Sequence, residues 1–216
     1  MKLSLSFCTL AIALVGAVSA SATPVTTSGL SVNSGGLTFS NFTCAYTSSG
    51  MNMGGCSSLD VSALTPKPAG IQFSTNLSVL GVASADAALA FTVSGSTGIN
   101  QVGLSFNSNF LGMDVNSVTE NIYTAQGGSL VGTMTVHCGV LTGCSSTTVD
   151  SVALKGTYTS LYITKDINLS SFAANGAGTT SIVTQSFTAS PEPVSMSLIG
   201  GGLLLIGAAR LRRNKA

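Results

Sequence analysis

Along the middle of the chain, apolar residues recur at every second position in short runs. Val102, Leu104 and Phe106 alternate with Gly103 and Ser105, Met134 and Val136 alternate with Thr133, Thr135 and His137, and Phe91 and Val93 flank Thr92. A period of two sends successive side chains to opposite faces of an extended backbone, so each run predicts a strand with one buried face. Comparable runs lie at Leu37 to Cys44, Ile71 to Leu80, Val118 to Thr124, Thr147 to Leu154, Thr159 to Leu169 and Ser181 to Phe187. Turn-forming residues separate them at Gly35-Gly36, Gly54-Gly55, Pro66 to Gly70, Gly95 to Gly98, Gly127-Gly128 and Asn175 to Gly178. About nine short strands at this spacing predict an all-β domain, an antiparallel β-sandwich of jelly-roll or immunoglobulin-like arrangement. Only Ser84 to Leu89 has a briefly helical look. The sandwich is expected over residues 35–172 with a last strand reaching about residue 189. Ser21 to Ser34 and Ala173 to Pro191 read as looser linkers around it.

The two ends break this pattern. Lys2, the apolar run Leu3 to Val18 and the small residues Val18-Ser19-Ala20 form a secretory signal over residues 1–20, with cleavage after Ala20 or after Ala22. At the other end Pro191-Glu192-Pro193 precedes Val194 to Ala209, which holds no charge, and the chain finishes with Arg210, Arg212, Arg213 and Lys215. Pro193 suits the first position of a helix, and Glu192 sits at the positive end of its dipole. The stretch predicts one C-terminal transmembrane helix that is short for a ~30 Å hydrocarbon core. The basic cluster acts as a stop and keeps the C-terminus cytoplasmic, with the body on the far side of the membrane.

A proline-glutamate-proline triplet, a Gly/Leu-rich helix and a terminal arginine cluster over residues 190–216 together resemble the PEP-CTERM sorting signal of exported proteins in Gram-negative bacteria. The resemblance implies processing by an exosortase, a membrane-embedded cysteine protease, with Pro191, Glu192 and Pro193 as the recognition motif. It implies export by the Sec machinery and a mature form at the cell surface or in the extracellular matrix, in the setting of biofilm and extracellular polysaccharide. These families share the tail while their bodies differ, so the role of the body has to come from the body's own residues.

Composition narrows that role. Only 7% of the residues are charged and the net charge is +1, which leaves no electrostatic footprint for a nucleic-acid partner. Between the two ends, Lys67, Lys155 and Lys165 face Asp60, Asp86, Asp114, Glu120, Asp150 and Asp166, a net charge of −3 with no arginine. Export places Cys44, Cys56, Cys138 and Cys144 in an oxidising compartment. Of the three possible pairings, Cys44–Cys56 and Cys138–Cys144 close short glycine-containing loops and are favoured. Their spacing does not suit zinc, and no metal or cofactor is expected. His137, the single histidine, sits in no nucleophile motif and reads as a strand residue at a loop edge. No catalytic residue is assigned, although Asp114, Glu120, Asp150 and Asp166 would form a hydrolase site if they converged. Asp114, Asn116 and Glu120 carry oxygens suited to calcium but lack the glycine and acidic density of an EF-hand, and they read as a solvated loop. Tyr46, Tyr123, Tyr158 and Tyr162 are the candidate platforms for a sugar, and alternation along Leu161-Tyr162-Ile163 turns Tyr162 away from its apolar neighbours. The leading expectation is therefore an exported, noncatalytic surface or matrix protein. A glycan- or calcium-binding module is the alternative, and a secreted hydrolase the lower one.

Overall fold

A computed structural model describes residues 21–64, 68–140 and 148–189, and these are almost wholly antiparallel β-structure. The strands are β1 (Thr23–Pro24), β2 (Ser31–Ser34), β3 (Leu37–Met53), β4 (Asp60–Ala63), β5 (Ala69–Leu111), β6 (Asp114–Tyr123), β7 (Leu130–Gly139), β8 (Thr148–Ser171) and β9 (Ala177–Ala189). A 3-10 turn at Cys56–Ser58 joins β3 to β4. Among the described residues no helix is long and apolar enough to cross a membrane. The signal segment 1–20, Pro191 to Pro193, the expected helix 194–209 and the basic tail lie outside the described residues.

The strands are hydrogen-bonded into one network that folds into two layers. In the first layer the order is β1, β4, residues 69–80 of β5, β9, residues 99–111 of β5, and residues 148–153 of β8. In the second it is β2, β3, residues 83–94 of β5, residues 160–171 of β8, β6 and β7. The long strand β5 thus leaves the first layer, crosses into the second and returns. Aromatic side chains meet between the layers: Phe39 and Phe187 at 5.4 Å between ring centroids, and Phe73 and Phe91 at 5.8 Å. Around them Leu37, Val61, Ile71, Leu104, Val136, Ile163 and Val183 complete an apolar core between two sheets.

Crossing from layer to layer requires special backbone. Gly50 has φ 70°, and a Cβ there would lie 2.5 Å from the Val82 carbonyl oxygen and 2.9 Å from Ala83 Cα. It sits where the β3–β5 register shifts between Ser49 and Met51. Asn41 and Asn76 also have positive φ, each at a further register shift, which matches asparagine's tolerance of the left-handed region and the geometry of bulges. Cys44 and Cys56 form a disulfide closing the turn after β3. Cys138 is disulfide-bonded as well, and its expected partner Cys144 lies outside the described residues.

Several sequence expectations change here. Ser84 to Leu89 is strand, not helix: Ala85, Ala87 and Leu89 are buried while Asp86 and Ala88 point outward, and pairing with β3 and β8 on both sides overrides alanine's helix preference. Gly95 to Gly98 does not end a strand but lies at a register shift within β5. Ser21 to Ser34 is not loose, since it supplies β1 and β2 and buries Val25. Ala173 to Ala189 is a tight turn followed by β9, which lies between two segments of β5. Asp114 to Glu120 is not a solvated loop but strand β6, with Asp114, Asn116 and Glu120 fully buried.

Candidate functional site

The second layer has an inner face on the core and an outer face of small and polar residues, because β3, β5, β8, β6 and β7 alternate in step. Antiparallel register assembles these outward residues into rows. One row runs Thr47, Asp86, Asn168, Ser117, His137, the next Ala45, Ala88, Asp166, Thr119, Thr135, and the next Thr43, Ala90, Thr164, Asn121, Thr133. Beside them Thr92, Tyr162 and Tyr123 form a fourth, with the two tyrosine rings 6.4 Å apart and tilted by 49°. Alanine in the middle leaves a depression of about 470 Å³ whose lining includes Asp86, Thr119, Asn121, Thr164 and Asp166.

Asp86 and Asp166 stand on adjacent strands one row apart, and their carboxyl groups are hydrogen-bonded. Partial burial, then the hydrogen bond and the negative charge of Asp86, push the Asp166 carboxyl up to about 6. Asn121 accepts a hydrogen bond from Thr133 at 2.9 Å, and the Thr119 and Thr135 hydroxyls lie 3.5 Å apart. The face therefore combines carboxylate acceptors, amide and hydroxyl groups with both polarities, and an aromatic pair at one side.

The other sequence candidates are dispersed. Glu120 and Lys165 form a buried ion pair between the layers, and Gln185 on β9 accepts from Lys165 at 2.7 Å and donates to Glu120 at 2.9 Å. Burial raises the Glu120 carboxyl and lowers the Lys165 ammonium, while their mutual attraction opposes both shifts. Asp150 accepts from the Thr135 backbone amide at 3.2 Å and from its own neighbour, the Ser151 amide, at 2.7 Å. The carboxylate set Asp114, Glu120, Asp150, Asp166 is thus not assembled, and Asp86, which was not among the candidates, is the residue that pairs with Asp166. Tyr46 packs against the core and donates to Asn52 at 3.2 Å, and Tyr158 also lies against the core, so only Tyr123 and Tyr162 present a shared outer platform. His137 is exposed on the outer face of β7. Among the described residues no three His, Cys, Asp or Glu side chains are grouped to hold a metal.

No protein-family model matches the chain. No curated protein matches it in sequence. Among solved structures it is similar to the carbohydrate-binding module TmCBM61 in complex with β-1,4-galactotriose, at 14% identity and a TM-score of 0.34, over 66% of this chain and 88% of that one. A structure of carbohydrate-binding modules from the β-sandwich superfamily matches at 11% identity and a TM-score of 0.34, over 69% and 57% of the two chains. The family 11 carbohydrate-binding module of a Clostridium thermocellum cellulosomal cellulase matches at 8% identity and a TM-score of 0.28, over 82% and 98%.

Proposed function

We propose that the protein is an exported, noncatalytic surface protein whose sandwich binds a polyhydroxylated ligand, a glycan, on the outer face of its second layer. The observation that carries this reading is the register that sets the Tyr123–Tyr162 pair beside rows of Asp, Asn and Thr over an alanine floor. Sugar rings offer an apolar C–H face and a rim of hydroxyls, so a ring platform next to mixed donors and acceptors satisfies both. Shallow, uncharged-to-acidic and free of arginine, the face suits a neutral glycan better than a phosphate-bearing ligand.

Delivery to that ligand rests on the two ends. Sec-dependent export through the signal over residues 1–20, then recognition of Pro191, Glu192 and Pro193 by an exosortase-type protease, would leave the sandwich at the cell surface or in the matrix with extracellular polysaccharide as its partner.

The binding half is tested by melting the full-length chain with and without neutral oligosaccharides and soluble polysaccharides. A saturable rise in melting temperature that disappears in Tyr162→Ala supports it. A rise that persists in Tyr162→Ala, or no rise with any glycan, sinks it. The sorting half is tested by intact mass of protein from its own cells. A species ending near Pro191–Pro193 supports processing, and a membrane species retaining Arg210 to Ala216 refutes it.

A further inference from the structure

At the end of the sandwich where β6 begins and β8 ends, a second group of side chains converges that the outer face does not use. Asp114 lies opposite Ser171 in the β6–β8 register, and Asn116 follows on the same inner face. Asp114 and Asn116 are 0% exposed and Ser171 2%. Among the described residues, none makes a hydrogen bond with Asp114 Oδ1 or Oδ2, Asn116 Oδ1 or Ser171 Oγ. The orientation of Asn116 is fixed, because its Nδ2 donates to Ser108 Oγ at 2.7 Å and to the Asn109 carbonyl at 3.0 Å. Its carbonyl oxygen is thereby turned to the other side.

These oxygens lie against the turn that leads into β9 and the first residues of that strand. A Cβ on Gly176 would stand 2.2 Å from Ser171 Oγ and 2.6 Å from Asp114 Oδ1, and one on Gly178 would stand 2.7 Å from Asn116 Oδ1. Glycine at both positions lets the backbone approach the three side chains. Lys165, the buried cation of the sandwich, is committed to Glu120 and Gln185. A fully buried carboxylate without a donor is among the costliest arrangements in a folded chain, and a bound cation is one of the few things that removes the cost. The donor set is one carboxylate, one amide carbonyl and one hydroxyl, all hard oxygen, with neither nitrogen nor sulfur.

We propose that Asp114, Asn116 and Ser171 hold a structural calcium ion that ties β6 and β8 to the turn entering β9. Calcium fits better than magnesium, because magnesium sheds its waters reluctantly whereas calcium accepts irregular sets of carboxylate and neutral oxygens. The site shares Asp114 and Asn116 with the oxygen-bearing trio that reads from sequence as a solvated loop, but Glu120 is withdrawn into its ion pair and Ser171, distant in sequence, takes its place. It stands independently of glycan binding.

The test is calorimetric titration of the chelator-treated, full-length chain with calcium chloride, with magnesium chloride for comparison, alongside thermal melts. The expected result is one calcium per chain, weaker response to magnesium, and a melting temperature that falls with chelator and recovers with calcium. Asp114→Asn should lose calcium binding and become insensitive to chelator. Ser171→Ala, which retains the charge, should bind more weakly and serves as the decisive variant if Asp114→Asn does not fold. Tyr162→Ala should bind calcium as the parent does, which separates this result from the glycan test. Absence of binding, a melting temperature unmoved by calcium and chelator, or calcium binding unchanged in Asp114→Asn or Ser171→Ala would each overturn the proposal.

Discussion

At the scale of single residues, two pairs of opposite chemistry dominate. The buried Glu120–Lys165 pair is satisfied on both sides by Gln185, so removing one member strands the other in the core. Lys165→Met should lower unfolding free energy by about 3–5 kcal/mol in urea titration, and Glu120→Met combined with Lys165→Met should recover much of the loss. On the outer face the sign is different. Asp166, ordinarily near 3.8, titrates near 6 beside Asp86, so between those values the folded chain holds a proton that the unfolded chain releases. Its contribution to stability is full below about pH 4 and is lost as pH rises through about 6. Asp166→Asn should therefore flatten the dependence of melting temperature on pH between 4 and 7. Because the group is largely solvated, the gain at pH 7 should not exceed about 2–4 °C, the shift expected for 1 kcal/mol in a chain of this size. A profile as steep as the parent's would show that other groups set it.

At the scale of elements, Gly50 and the Cys44–Cys56 disulfide shape the exit of β3. Gly50→Ala places a methyl against the Val82 carbonyl in a left-handed backbone and should cost at least ~1–2 kcal/mol. Opening the disulfide, whose cysteines are 12 positions apart, should cost about 2–4 kcal/mol, measured by denaturant titration of Cys44→Ser, Cys56→Ser. Alternation made most strands legible: Val102, Leu104 and Phe106 are buried as their spacing indicates, and Cys44–Cys56 follows from a short loop. What periodicity could not reveal was continuity. The stretch Gly95 to Gly98 looks like a chain break, yet it falls where one strand passes between layers, and only pairing partners far away in sequence distinguish the two cases. The same holds for the site. Tyr162 was visible as outward-facing, whereas the Asp86–Asp166 pair exists only because β5 and β8 are neighbours. Asp114 and Asn116 fall in the same phase as apolar Val118, as core positions do, but their polarity read as solvent exposure.

At the scale of the whole molecule, the two proposed sites are separated along the sandwich. Tyr162 and Thr92 pair a few residues from the Ile99–Tyr158 bridge, and Ile99 also pairs with Ala189, the last residue of β9. Asp114 and Ser171 lie toward the opposite end, where Leu111 meets Ala177. Ala189, the last described residue of β9, thus lies on the tyrosine side. Strand β9 is the element through which any pull on that end enters the body, and it is bonded along its length to residues 69–80 on one flank and 99–111 on the other. Tension applied along such a strand loads both ladders in shear, so many bonds must fail together instead of peeling one by one. A strand paired on one flank alone would unzip under such a pull; β9, paired on both, holds until two ladders give way at once.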